Sequence, residues 1–120
     1  MPPHACLAYS RTNNILFIDE LFTSKNHRGK NIAHNLLKTL LNENPNAKQV
    51  HLVVRLKALQ QKEARDMYSK LGFKPTKTRI TVHCPLSGDN VTVTCKPNEV
   101  HLQVSTKTLL TNLNKRGNTR

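Results

Sequence analysis

The chain has 120 residues, 37% of them hydrophobic, and a net charge of +12 at pH 7. That length suits one domain with a modest core, and the periodic clustering of its apolar residues excludes a disordered chain. No apolar run approaches the roughly 18 residues of a membrane-spanning helix, and no N-terminal apolar segment reads as a signal peptide.

In chain order, residues 5–10 (ACLAYS) are short and apolar, and RTNN after them reads as a turn. Residues 15–23 (ILFIDELFT) form an apolar run rich in β-branched and aromatic residues, which predicts a central strand. From Gly29 the period changes. Ile32, Ala33, Leu36, Leu37, Leu40 and Leu41 make one stripe of an α-helix, which Pro45 ends. Residues 49–56 (QVHLVVRL) predict a second buried strand. Ala64, Met67, Tyr68 and Leu71 then recur at helical spacing, with Gly72 as the C-cap. Residues 78–84 and 90–95 alternate with period two around a turn at 85–89, and 100–104 is a final short strand.

Strand–helix–strand with short links implies a parallel pair joined by a right-handed crossover. The expected fold is therefore α/β, or α+β: a mixed sheet with a central strand–helix–strand–helix unit and antiparallel flanking strands. Residues 1–104 make the single domain. Residues 105–120, with Lys107, Lys115, Arg116 and Arg120 and no acid, read as a basic tail that is at least partly disordered.

The candidate binding feature is Arg28-Gly29-Lys30, set between a strand and a helix. A helix N-terminus carries free N–H groups and positive partial charge. Gly29, lacking a Cβ, lets the backbone approach an oxygen closely, and two cations flank it. A phosphate or pyrophosphate is the ligand such a turn would take. The alternative is a glycine that only eases the turn between solvated cations. No Walker-type or dinucleotide glycine pattern is present. His83, Cys84, Cys95 and His101 lack the spacing of close Cys/His pairs, so no metal is expected. The three cysteines, Cys6, Cys84 and Cys95, read as reduced thiols, which points to the cytoplasm or nucleus.

The stretches ILFIDELFTSKNHRGKNIAHNLLKTLL and VHLVVRLKALQQKEARDMYSKLGFKP together resemble the GNAT superfamily of acyl-CoA-dependent N-acyltransferases. The family's [QR]-x-x-G-x-[GA] turn reads here as Asn26-His27-Arg28-Gly29-Lys30-Asn31, with Asn at its first and last positions. Its Ala-x-x-x-Tyr-x-x-x-Gly-Phe helix is matched in register by Ala64, Tyr68, Gly72 and Phe73. Gln61 stands where members often have Asn. The resemblance covers residues 14–75.

By that resemblance the protein is an N-acetyltransferase using acetyl-CoA as co-substrate, with transfer to a primary amine by direct attack. The backbone of Leu21, Phe22 and Thr23 would pair with the pantetheine arm. The turn and first helical residues (Asn26, His27, Arg28, Gly29, Lys30, Asn31, Ile32 and Ala33) would cradle the pyrophosphate. Gln61 would line the coenzyme site, and Tyr68 would reach it and protonate the leaving thiolate. For amine deprotonation the candidates are Asp19 and Glu20. Strand alternation sends them to opposite faces, and Glu20 is favoured. Family members usually place a strand, one or two helices and a hairpin before the clamp strand, whereas only residues 1–14 precede Ile15 here. The resemblance thus implies a minimal or N-terminally truncated member, or one whose cleft a second copy or another partner completes. The basic surface repels cationic acceptors and favours neutral or acidic ones, or a substrate carried on nucleic acid. The competing reading is a non-catalytic basic module that holds nucleic acid or a protein partner on the same scaffold.

Overall fold

The computed structural model describes residues 5–12, 14–23, 32–83 and 87–118, with side chains for all of these except 5–8, 19–23, 32 and 116–118. Seven strands form one sheet in the order β4-β7-β3-β2-β1-β5-β6. In chain order the elements are β1 (Ala5–Thr12), β2 (Ile15–Thr23), α1 (Ile32–Glu43), β3 (Gln49–Arg55), α2 (Leu56–Leu59) and α3 (Lys62–Leu71). They continue as β4 (Lys74–Pro75), β5 (Thr81–His83), β6 (Asn90–Thr92), β7 (Glu99–Ser105) and α4 (Thr106–Asn118). β2 and β3 are parallel, and the other pairings are antiparallel. This is the mixed sheet with antiparallel flanks that the sequence pattern predicts.

Alternation along the central strands decides which face carries the helices. Leu16 and Ile18 of β2, Val50 and Leu52 of β3, and Leu102 and Val104 of β7 are buried in one cluster. Leu37, Leu40 and Leu41 of α1, Leu71 of α3 and Leu109 and Leu113 of α4 complete that cluster. Leu37, Leu40 and Leu41 of the apolar stripe are therefore on the face α1 turns to the sheet. Asn44 fastens the end of this helix: its Nδ2 donates to the Leu40 carbonyl at 2.8 Å, and its Oδ1 accepts from Arg11 Nη1 of β1 at 2.9 Å. Gly72 closes α3 in the left-handed region at φ 96°, as a C-cap glycine does. A Cβ there would meet Asn112 Nδ2 and Thr108 Cγ2, both at 3.0 Å.

Three features depart from the sequence expectation. The segment read as a basic tail, at least partly disordered, forms the helix α4 over Thr106–Asn118, packed against both α1 and α3. Ser105 caps it, its Oγ accepting from the Thr108 N–H at 3.1 Å. Leu109 and Leu113, one turn apart, are fully buried, so residues 105–118 are part of the domain; the last two residues lie outside the described set. Second, the strand expected over 49–56 stops at Arg55, where α2 begins. Third, the expected strands 78–84 and 90–95 shrink to 81–83 and 90–92. They pair as a hairpin whose β5 adds to β1, with Arg11 opposite His83. Because β4 sits at one edge and β5 beside the other, residues 76–80 must cross the sheet. Ile80, at the end of that crossing, and Val82 of β5 are buried apart from the main cluster.

Leu113→Ala is expected to cost about 2–5 kcal/mol through the cavity it leaves, read as a drop in the midpoint of a urea melt. A tail without structure would leave the midpoint unchanged.

Candidate active site

The site is built where β2 and β3 part. Their parallel ladder runs from Ile15 opposite Gln49 to Ile18 opposite Leu52, and there it ends. Both strands continue. β2 stays paired on its other side, with Glu20 to Thr23 opposite Ala8 to Ala5 of β1. β3 stays paired with β7 as far as Arg55 opposite Glu99. Among the described residues, neither strand has a ladder partner on its inner edge beyond this point, which leaves a wedge with residues 19–23 on one side and 53–55 on the other. Main-chain N–H and C=O groups along such an edge require partners. An extended, amide-bearing ligand supplies them in the way an added strand does.

The departure coincides with a β-bulge. The β1–β2 register shifts between Ala8, opposite Glu20, and Tyr9, opposite Ile18, which leaves Asp19 as the extra residue. A bulge bends and twists its strand, and here it lies at the point where β2 leaves β3. It falls at the two acids, Asp19 and Glu20, considered above for amine deprotonation. The side chains of both acids lie outside those described, as do those of Leu21, Phe22, Thr23 and Ile32. Asn26, His27, Arg28, Gly29, Lys30 and Asn31 fall wholly outside the described residues. Ala33 is half-buried in the first turn of α1.

Tyr68 lies on α3, packed against the core with its ring edge-on to Phe73 at a centroid distance of 5.8 Å. Burial pushes its phenol above the ordinary value of 10.0, so the hydroxyl stays protonated at neutral pH and can donate. Gln61, exposed, is the residue before α3, and its carbonyl accepts from the Arg65 N–H at 3.1 Å. Gln61 and Tyr68 thus stand on the same helix, at its start and in its middle.

One polar constellation was not legible in the sequence. His51 of β3, fully buried, and His101 of β7, 6% exposed, meet across the two strands with His51 Nδ1 2.8 Å from His101 Nε2. His51 Nε2 is 3.0 Å from Gln49 Oε1. An amide oxygen only accepts, so His51 donates from Nε2 and accepts at Nδ1, and His101 donates from Nε2. Alternation with Val50 and Leu52 turns His51 away from the helices. Burial first, and then the neighbouring His101, lower the His51 pKa from 6.5 to about 4, and burial lowers that of His101. Both rings are neutral at pH 7. The only sequence signal was a histidine inside an apolar strand, and its partner stood 50 residues away.

The chain matches the model of the acetyltransferase (GNAT) domain over residues 5–83, well over half its length, and it belongs to that family. No curated protein matches it in sequence. Among solved structures it is similar to the ribosomal-protein-S18-alanine N-acetyltransferase of Escherichia coli, at 14% identity and a TM-score of 0.58, covering 85% of this chain and 61% of that one. A GNAT-family acetyltransferase of Staphylococcus aureus matches at 19% identity and a TM-score of 0.59, over 85% of this chain and 59% of that one. Ard1 of Thermoplasma volcanium matches at 17% identity and a TM-score of 0.58, over 84% and 62%. At these identities the likeness is one of fold. The chain spans about three fifths of the length of each of these proteins.

The buried histidines carry a pH signature. Their folded pKa values lie below the unfolded value of 6.5, so below 6.5 the unfolded chain binds protons the fold does not take up. Their contribution is complete above that pH and is lost as the pH falls toward about 4. Urea melts at pH 7 and pH 5 are expected to differ by roughly 1–2 kcal/mol from this source. His51→Leu should flatten that part of the dependence, and an unchanged pH profile in that variant would contradict the assignment.

Proposed function

We propose that the chain is an N-acetyltransferase that passes the acetyl group of acetyl-CoA to a primary amine by direct attack. The observation that carries this reading is the wedge between β2 and β3, opening after Ile18 and Leu52 in a chain of the acetyltransferase family. In this reading the β2 edge at Leu21, Phe22 and Thr23, beyond the end of the β2–β3 ladder, would offer main-chain groups to the amides of the pantetheine arm. Arg28, Gly29 and Lys30, with the amides from Asn26 to Ala33 at the start of α1, would hold the pyrophosphate. Gln61, at the N-terminus of α3, would meet the same coenzyme from the other side.

The thioester supplies an activated acyl carbon and a thiolate leaving group. The protein's part is positioning and proton movement. The incoming amine must lose a proton and the departing thiolate must gain one. Tyr68, neutral and desolvated on α3, donates to the sulfur. Glu20, two residues past the last β2–β3 pair, takes the amine proton, directly or through a water. The cytoplasm or nucleus is the proposed setting.

Acetyl-CoA at saturating concentration should raise the melting temperature of the wild-type chain, and Gly29→Glu should abolish the rise by placing a carboxylate among the phosphates. Tyr68→Phe should keep the coenzyme-induced rise while lowering kcat by about 10²-fold or more, followed as thiol release. A melting temperature indifferent to acetyl-CoA, together with nucleic-acid binding that weakens steeply with salt, would support the non-catalytic basic module instead.

A further inference from the structure

The end of β3 carries a second feature beside the wedge. A groove of about 250 Å³ is lined by Arg55, Lys57, Lys96, Asn98 and Glu99. Arg55 is the last residue of β3, on the stretch that β2 has left, and alternation puts it on the sheet face of His51, away from the helices. Lys57 comes from α2. Lys96 and Asn98 come from the turn that enters β7, and Glu99 is the first residue of that strand. The Leu56 N–H donates to the Asn98 carbonyl at 2.9 Å, which pins that turn to the end of β3.

The lone acid offsets only one of the three cations and leaves the lining net positive. Glu99 is spent on its own turn: its Oε1 accepts from the Lys96 N–H at 3.0 Å, and its N–H donates to the Lys96 carbonyl at 2.9 Å. None of Arg55, Lys57 and Lys96 takes part in an ion pair among the described residues. Three cations converging on a groove with one engaged carboxylate form a site for an anion, and a guanidinium in such a set favours the two-oxygen geometry of a carboxylate. The volume suits one or two side chains. It is small beside the roughly 300–1,000 Å³ of a typical small-molecule site.

We propose that this groove selects the acceptor: it takes the carboxylate of an acidic amine substrate, such as a peptide with Asp or Glu close behind its free amino group, and so orients that amine toward the wedge. The inference rests on the acetyltransferase reading, because it assigns the groove to the second substrate of the same reaction. It gives the charged surface a local role in place of a diffuse one.

The test uses the full chain, the peptides Ser-Glu-Glu-Ala and Ser-Gln-Gln-Ala, and backbone amide NMR shifts as the readout, so that binding is seen without turnover. The acidic peptide is expected to bind about tenfold or more tightly than its amide twin and to move the amides of Arg55, Lys96 and Asn98. The double variant Lys57→Glu/Lys96→Glu should erase that preference while the acetyl-CoA-induced rise in melting temperature persists. Equal affinity for the two peptides, or a preference that survives the double variant, would overturn the proposal. So would loss of the coenzyme effect in that variant, which would assign the groove to the coenzyme's phosphates, or a response of these amides to an oligonucleotide alone. If acetyl-CoA stabilises the wild type but the peptides are not told apart, the acceptor assignment fails by itself. If acetyl-CoA has no effect on the wild type, it is the underlying reading that fails.

Discussion

Two parallel strands that begin paired and then separate create a demand for hydrogen bonds that the sheet ladders among the described residues do not meet. β2 and β3 share a ladder for four residue pairs and then diverge, each still tied to its outer neighbour. The outer ties matter. β1 holds β2 as far as Thr23, and β7 holds β3 as far as Arg55, so the inner edges stay extended instead of collapsing onto each other. The bulge at Asp19 accompanies the divergence, as expected of a device that twists one strand away from its neighbour.

The helix layer keeps this open arrangement affordable in free energy. α1, α3 and α4 cover one face of the sheet, and the fully buried Leu37, Leu71, Leu109 and Leu113 pack onto Leu16 and Val50. At 120 residues the ratio of surface to volume leaves little apolar area to spare. Recruiting the C-terminal segment as α4 supplies two of those leucines. The hairpin β5–β6, reached by a chain crossing the sheet, extends the β1 side of the sheet. On the face away from the helices the sheet buries the His51–His101 pair, two neutral rings that satisfy each other at 2.8 Å.

Much of this was written in local patterns. The run ILFIDELFT gave β2 with the bounds observed, and Leu37, Leu40 and Leu41 of the leucine stripe gave the buried face of α1. The αL cap at Gly72 followed from a glycine placed after a helical repeat. What stayed hidden was non-local or masked by charge. Leu109 and Leu113 carry a helical spacing, but four cations and no acid over the same stretch argued for solvent, and tertiary burial won. The bulge at Asp19 has no signature in residue type, so period-two alternation was extended across it. The histidine pair joins strands adjacent only in space. The candidate turn and the role of Tyr68 came from the family resemblance, and the turn lies outside the described residues, whereas the groove of Arg55, Lys57 and Lys96 appears only once β7 lies beside β3.

Amide hydrogen exchange of the wild-type chain tests the divergence of β2 and β3 most directly. Without ligand, amides of Asp19 to Thr23 on the edge facing β3 should exchange far faster than those of Leu16 to Ile18. Acetyl-CoA should slow them by about tenfold or more. Protection already complete in the free chain, or exchange at that edge unaltered by saturating acetyl-CoA, would contradict an open strand edge that the coenzyme fills.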